Sequence, residues 1–316
     1  MDLLRLVVRR LIVAIPMVFV VSILIFSVTY LVPGDAAATI AGETASAEDI
    51  ARIRDELGLD GLFFSQLGNW FSDLARGDLG TSLLDGQEIT TIIAERAPVT
   101  LSLAWMAMII ALLIGLPLGI VAATHINTWR DRVAVVFASI GMAIPNYWFG
   151  LILVIVFAVQ LGWLPATGYV PFRDDPVEWL RHIALPAIAL GTAAAAEVAR
   201  QTRASLSRTL DADYVRTARM KGLPSRKIVG KHAMKNAASP VVTSFGMQAT
   251  VLLGGTVIME RVFSIPGLGS AALDAVLSRD LRVVQGIALF TTIIAIAINI
   301  LIDVVNAYLN PKLRSA

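Results

Sequence analysis

Asp211-Ala212-Asp213-Tyr214-Val215-Arg216-Thr217-Ala218-Arg219-Met220-Lys221-Gly222-Leu223-Pro224-Ser225 lies at the centre of a basic segment, Arg200 to Lys235, that is flanked on both sides by apolar runs. Its punctuation predicts a folded element. Asp211 or Asp213 is placed to cap a short helix from Tyr214 to Lys221, Gly222 to take the left-handed turn at its end, and Pro224-Ser225 to start a further helix leading into the next apolar run. Tyr214, Val215 and Ala218 give such a knob an apolar face, ringed by Arg216, Arg219, Lys221, Arg226, Lys227 and Lys231. A basic loop that only fixes topology against anionic lipid needs the charge but neither the glycine nor the helices. From these residues alone both readings stand.

Working outward, the setting is a membrane. Of the 316 residues 56% are hydrophobic and 16% charged, with a mean hydropathy of +0.73, whereas soluble domains are about a quarter charged. Six runs approach the roughly 20 residues needed to cross a bilayer core of about 30 Å: Leu11 to Val32, Pro98 to Ala123, Val133 to Leu161, Ile183 to Ala196, Ala237 to Met259 and Val283 to Ile302. The first is longer than the roughly 7–15 residues of a signal-peptide core and is read as a retained span. The fourth is short and Ala-rich, between Arg181-His182 and Glu197, and by itself would suit a re-entrant segment. The fold class is therefore all-α integral membrane protein with six transmembrane helices.

Orientation follows from Lys and Arg in the short loops. Arg5, Arg9 and Arg10, then Arg130 and Arg132, then the ten Lys or Arg of Arg200 to Lys235, then Lys312 and Arg314, fall on one side of an even number of spans. Both termini are predicted to be cytoplasmic. This holds only if the fourth run crosses. The opposite side receives Asp35 to Ala97, where twelve Asp or Glu outnumber Arg52, Arg54, Arg76 and Arg96. There Ser46-Ala47-Glu48-Asp49 has the form of a helix cap, with Ile50, Ile53 and Leu57 on one face before Gly58. Phe63, Phe64, Leu67, Trp70, Phe71 and Leu74 then form an aromatic stripe from Leu62 to Ala75, read as a packed cap over the spans.

The chain carries no chemistry of its own that its motifs reveal. There is no Gly-x-x-x-x-Gly-Lys-Ser/Thr phosphate loop, no His-Glu-x-x-His and no Gly-x-Ser-x-Gly. Cys is absent, and His125, His182 and His232 fall in different loops. No cofactor or metal is expected on this chain, and an intramembrane enzyme is the remote alternative. Nucleic-acid binding leaves the tethering of the basic loop between spans unexplained. Within the spans, Asn146 after Pro145, and Gln248 with Thr250, are the candidate pathway groups. Pro145 either breaks the third helix at a cavity or kinks it in a packed seam. Asn299, Asp303 and Asn306 share a face of the last span, as a lining or as helix-to-helix hydrogen bonding. Gly115, Gly119 and the pair Gly254-Gly255 are read as close-packing positions.

Thr217-Ala218 followed by Gly222, before the penultimate span, resembles the EAA loop of ABC-importer permeases, the element that docks into a groove on the ATPase subunit. The general form has Glu where this chain has Arg216, and Leu-Pro where it has Met234-Lys235. The chain is similar instead to the peptide and nickel branch, in which Asp213-Tyr214, Arg216-Thr217-Ala218, Lys221-Gly222-Leu223, His232-Ala233 and Asn236 have counterparts. The likeness extends in order through Arg9-Arg10-Leu11, Ile15-Pro16, Pro33-Gly34-Asp35, Leu57-Gly58-Leu59-Asp60 and Gly77-Asp78-Leu79-Gly80. It continues through Thr100-Leu101, Ile144-Pro145, Trp163-Leu164-Pro165, Leu185-Pro186, Gly254-Gly255, Pro266-Gly267-Leu268-Gly269, Arg279-Asp280 and Asn310-Pro311. The B-type dipeptide and oligopeptide permeases resemble it most.

The resemblance implies a type I importer core of five helices over 98–309, preceded by an extra N-terminal helix over 1–33 and an external cap over 34–97, with a coupling loop over 200–236 and a tail over 310–316. It implies ATPase coupling by Asp213, Tyr214, Arg216, Thr217, Ala218, Arg219, Lys221, Gly222 and Leu223. The pathway candidates remain Pro145, Asn146, Gln248, Thr250, Asn299 and Asp303. The implied partners are a homologous second permease (C-type), two ABC ATPases that hold the ATP and Mg, an extracytoplasmic solute-binding protein and a peptide, in a bacterial inner membrane. Nickel and glutathione are the alternative solutes within the same branch.

Overall fold

In the computed structural model, which describes residues 3–31, 46–56 and 61–309, the only β-pairing among those residues is an isolated bridge between Thr81 and Glu88. The rest is built of helices: α1 (Leu3–Leu31), α2 (Ala47–Glu56), α3 (Phe63–Ala75), α4 (Ile89–Thr124), α5 (Trp129–Ala143) and α6 (Asn146–Leu153), the last continued by a π-helical stretch, Val154–Gln160. Then come α7 (Pro176–Leu210), α8 (Asp213–Met220), a single turn Ser225–Lys227, a second π-helical stretch Ile228–Ala233, α9 (Met234–Val262), α10 (Leu268–Leu277) and α11 (Leu281–Leu309). Among the described residues five helices are long and apolar enough to cross a membrane, and α5 with α6 makes a sixth if that bent pair is one span. Pro33-Gly34-Asp35, Leu57 to Asp60 and the tail from Asn310 lie outside the described residues.

Two of the predicted spans differ in form from the expectation. The short fourth run, Ile183 to Ala196, is the middle of the 35-residue α7. Hydropathy truncates it at Arg181 and Glu197, yet the helix continues through both because the charges are met within it. Arg181 pairs with Glu178 at 2.7 Å and Arg200 with Glu197 at 2.6 Å, while Asp175 caps the start by accepting from the Val177 and Glu178 amides, with Pro176 at the first position. Its alanines reflect its place: 67% of its apolar window is buried inside the protein, against 11% for α1 and for α11. The third run, Val133 to Leu161, is not one rod. Ile144 adopts an extended backbone (φ −82°, ψ 123°), as a residue before proline is driven to do, and the two helices meet at 99°. Helix α4 runs unbroken through Ala97 and Pro98, so the composition shift there marks where an existing helix turns apolar.

The chain divides into two compact units. One comprises Leu11–Thr100 and Pro266–Ile296. Within it, Ser46 and Asp49 cap α2 reciprocally: the Ser46 hydroxyl accepts from the Asp49 amide at 3.2 Å and donates to Asp49 Oδ2 at 2.7 Å. Those Ser46 bonds, followed by the charge of Arg52, hold the Asp49 carboxyl below its usual pKa. The aromatic stripe of α3 lies on α1, with Phe71 against Phe19 (4.9 Å between ring centres), and Phe63 and Trp70 against Phe26 (5.5 and 5.6 Å). Helix α10 was not legible as an element; its first amide, at Leu268, donates to Thr100 Oγ1 at 2.8 Å. Buried Asp280 ties this unit together by accepting from the Ser82 hydroxyl and from the Leu83 and Val283 amides. Asp280→Ala is expected to lower stability by about 3 kcal/mol, since buried donors then lack acceptors, and Asp280→Asn by less. Thermal unfolding in detergent checks the order.

The other unit comprises Met1–Arg10, Leu101–Ile265 and Ala297–Ala316. Helices α4 and α7 approach closely within it. A Cβ built on Gly115 would stand 2.5 Å from the Ala195 carbonyl oxygen, and one on Gly119 would stand 2.5 Å from Thr202 Cβ. The pair Gly254-Gly255 behaves differently from the expectation of close packing. Gly254 faces open space and Gly255 meets only Leu190 at ordinary contact distance, because α9 turns this face away from its neighbours.

Candidate functional site

The basic segment comprises the end of α7, helix α8 and the turns that lead into α9, all within the second unit. Helix α8 begins at Asp213 with Ala212 as its N-cap residue, and no side chain caps it. This corrects the expectation of an aspartate cap. Asp211 instead occupies the C-cap position of α7, and Asp213 sits in the first turn, 3.6 Å from Arg216, where its charge favours the helix N-terminus. Residue 222 ends the helix as expected. Gly222 has φ +74°, its amide bonds to the Arg219 carbonyl at 2.9 Å, and the Leu223 amide reaches back to the Ala218 carbonyl at 3.3 Å. These two bonds form a Schellman closure.

One face of the knob is core. Val215 and Ala218 are buried with Leu206 and Leu210 of α7, Ala123 of α4, and Ile228, Ala233 and Ala237 of the run into α9, and Leu223 packs on the edge. The knob therefore shares one apolar cluster with the helices before and after it. Tyr214 is not part of that buried face; it is half-exposed and its hydroxyl accepts from Asn236 Nδ2 at 2.8 Å. On the outer side Arg216, Thr217, Arg219, Lys221, Arg226, Lys227 and Lys231 are exposed, and Met220 is 80% exposed at the tip.

The other candidate residues are distributed. Pro145 and Asn146 form the break between α5 and α6, and Asn146 lines a hollow of about 150 Å³ with Phe137, Ile140, Gly141, Phe149 and Thr192 among its walls. Gln248 and Thr250 are half-buried on α9, and Thr250 Oγ1 turns back to the Gly246 carbonyl at 3.4 Å. Asn299 is exposed on α11. One turn later Asp303 pairs with Arg10 at 2.9 Å, and Asn306 accepts from Ser239 Oγ at 3.1 Å while donating to Thr243 Oγ1 at 3.0 Å. These last two groups join helices to one another. No group of three or more His, Asp or Glu converges as a metal site among the described residues. The residue that sequence reading missed is Asp131, hidden between Arg130 and Arg132 in what reads as a basic flank. It is buried and paired with Arg203, 72 positions away.

Comparison with known proteins places the chain. The profile of the family described as binding-protein-dependent transport system inner membrane component matches residues 115–315, and that of its N-terminal portion matches residues 3–104. A protein of Brucella abortus (strain 2308), named as a peptide transport system permease, is 43% identical over 309 residues, covering 98% of both chains. The glutathione transport system permease protein of Escherichia coli (strain K12) is 41% identical over 308 residues, again covering 98% of both. Among solved structures, the inward-facing MetNI methionine ABC transporter aligns with a TM-score of 0.59 at 17% identity, over 70% of this chain and 97% of that one, which is a likeness of fold. The chain belongs to the binding-protein-dependent transport system inner membrane component family and is a multi-pass membrane protein with the type I importer fold.

Proposed function

We propose that the chain is the transmembrane permease subunit of an ATP-driven importer of di- or oligopeptides, with α8 as the docking element for a cytosolic ATPase. The observation that carries this reading is the Schellman-closed, basic, Met-tipped knob whose root is shared with α4, α7 and α9. A loop serving topology alone has no need of a rigid root, whereas a transmitting element must move as one body with the helices it drives. Asp213, Tyr214, Arg216, Thr217, Ala218, Arg219, Lys221, Gly222 and Leu223 make up that element. The permease works beside a homologous second permease, two ATPases that bind ATP and Mg, and an extracytoplasmic solute-binding protein. It resides in the bacterial inner membrane with both termini cytoplasmic. The pathway follows Pro145, Asn146, Gln248, Thr250, Asn299 and Asp303, and alternates between outward-open and inward-open states biased by ATP and by the loaded binding protein.

The test is reconstitution of the complex purified through this subunit into liposomes, with uptake of labelled di- and tripeptides, glutathione and nickel measured with and without ATP. ATP-dependent accumulation of peptide, competed by other peptides, is the expected result. Purification free of any ATPase, or uptake indifferent to ATP, would sink the transporter reading. The E. coli relative gives glutathione, itself a tripeptide, as the second reading for solute; uptake of glutathione that peptides fail to compete would select it.

A further inference from the structure

Helices α5 and α7 meet along small side chains. Ala134, Ala138 and Gly141 of α5 are buried, and a Cβ on Gly141 would stand 3.2 Å from Ala196 Cβ. A seam of this kind lets helices lie close but gives little resistance to sliding, because it lacks directional bonds. One contact differs. In the first turn of α5, Asp131 accepts from Arg203 of α7 through both oxygens, Nε to Oδ1 at 2.6 Å and Nη2 to Oδ2 at 2.9 Å, and Oδ2 also accepts from the Asn127 amide at 3.0 Å. Asp131 is buried and Arg203 is about two-thirds buried, with 5% and 35% of their side chains exposed. Neighbouring charges do not compete for it: Arg130 Nη1 is directed at His125 Nε2 and Arg200 holds Glu197. Among the described residues this is the one side-chain hydrogen bond between α5 and α7.

Its position matters more than its strength. Arg203 lies three and seven residues before Leu206 and Leu210, on the same face of α7, and those leucines are buried with Val215 and Ala218 of the knob. At the far end of α5 stands the Ile144-Pro145 break. We propose that the Asp131–Arg203 pair is a positioning device that couples displacement of the α8 knob to the broken α5–α6 span. Bidentate geometry fixes both distance and rotation, so the cytoplasmic-loop end of α7 cannot shift without carrying α5 or releasing the pair. This inference rests on the reading of α8 as the ATPase-docking element.

The test uses the complete complex in liposomes, with peptide-loaded binding protein, and reads the ratio of ATP hydrolysis with that protein to hydrolysis without it. Asp131→Asn removes the charge while keeping the shape, and Arg203→Lys keeps the charge while removing the fork. Both are expected to assemble and hydrolyse ATP with the KM for ATP unmoved. The stimulation ratio should fall about tenfold in Asp131→Asn, within the usual range of coupling between sites, and by less in Arg203→Lys. Peptide moved per ATP should fall in parallel, and the exchange Asp131→Arg with Arg203→Asp should recover part of both. An unchanged ratio in the single variants overturns the proposal. So does failure of both single variants to assemble, or a lower melting temperature with the ratio intact, since either makes the pair a structural staple. A wild-type complex without ATP-driven uptake refutes instead the function on which the proposal rests.

Discussion

Gly222→Val is expected to cut ATP-driven peptide uptake at least tenfold while the subunit still inserts, assembles and supports basal ATP hydrolysis. The cause is backbone conformation alone. Beyond its chain neighbours, no atom lies within 4 Å of a Cβ built at this position, so a β-carbon has room there, but φ of +74° is one that a β-branched residue rarely adopts. Holding it there costs about 1–3 kcal/mol. The chain relieves that strain by abandoning the left-handed turn, which breaks the Gly222-to-Arg219 and Leu223-to-Ala218 bonds and withdraws Leu223 from the edge of the apolar cluster. The knob then no longer moves rigidly with α7 and α9. Gly222→Asn supplies the control, since asparagine tolerates the left-handed region; it should retain most of the uptake. Uptake and coupling unchanged in the valine variant would show that Gly222 does not form the docking turn.

The knob was legible because its signals are local. A glycine after a short amphipathic stretch specifies a helix end whatever surrounds it, and Gly222 does so here. The six apolar runs were legible for the same reason, although hydropathy shortened the fourth, because it counts Arg181 and Glu197 as charges without seeing the carboxylate and guanidinium that neutralise them. Ile144-Pro145 located the break in the third run, but its 99° angle depends on how α6 packs against α7 and α9, which no local pattern contains. Helix α10 was hidden by its length, ten residues being too few for a span. Asp131 was hidden by its neighbours, since an aspartate between two arginines carries no sign that it turns inward to Arg203. In each case the missing information is tertiary: a partner tens of residues away decides what a charge, a glycine or a short apolar run does.

Glycines in spans show this most plainly, and two of them give opposite expected results for one substitution. Gly119→Ala should destabilise the subunit by about 3 kcal/mol, the upper part of the range for overpacking. The new methyl carbon would stand 2.5 Å from Thr202 Cβ and 2.7 Å from the Ala199 carbonyl oxygen, and neither a backbone oxygen nor a β-carbon can swing aside. Helices α4 and α7 must separate, and the neighbouring contacts of Gly115 with Ala195 and of Gly191 with Ala107 loosen together. Because α7 also carries Leu206 and Leu210 at the root of the knob, lost stability should come with lost coupling. Gly254→Ala meets nothing within 4 Å, so only helix propensity acts, and stability should rise by up to about 1 kcal/mol. Melting of the two purified variants in detergent decides the matter: a Gly119→Ala protein as stable as wild type would mean that α4 and α7 are not in the close contact described, whatever the result at Gly254.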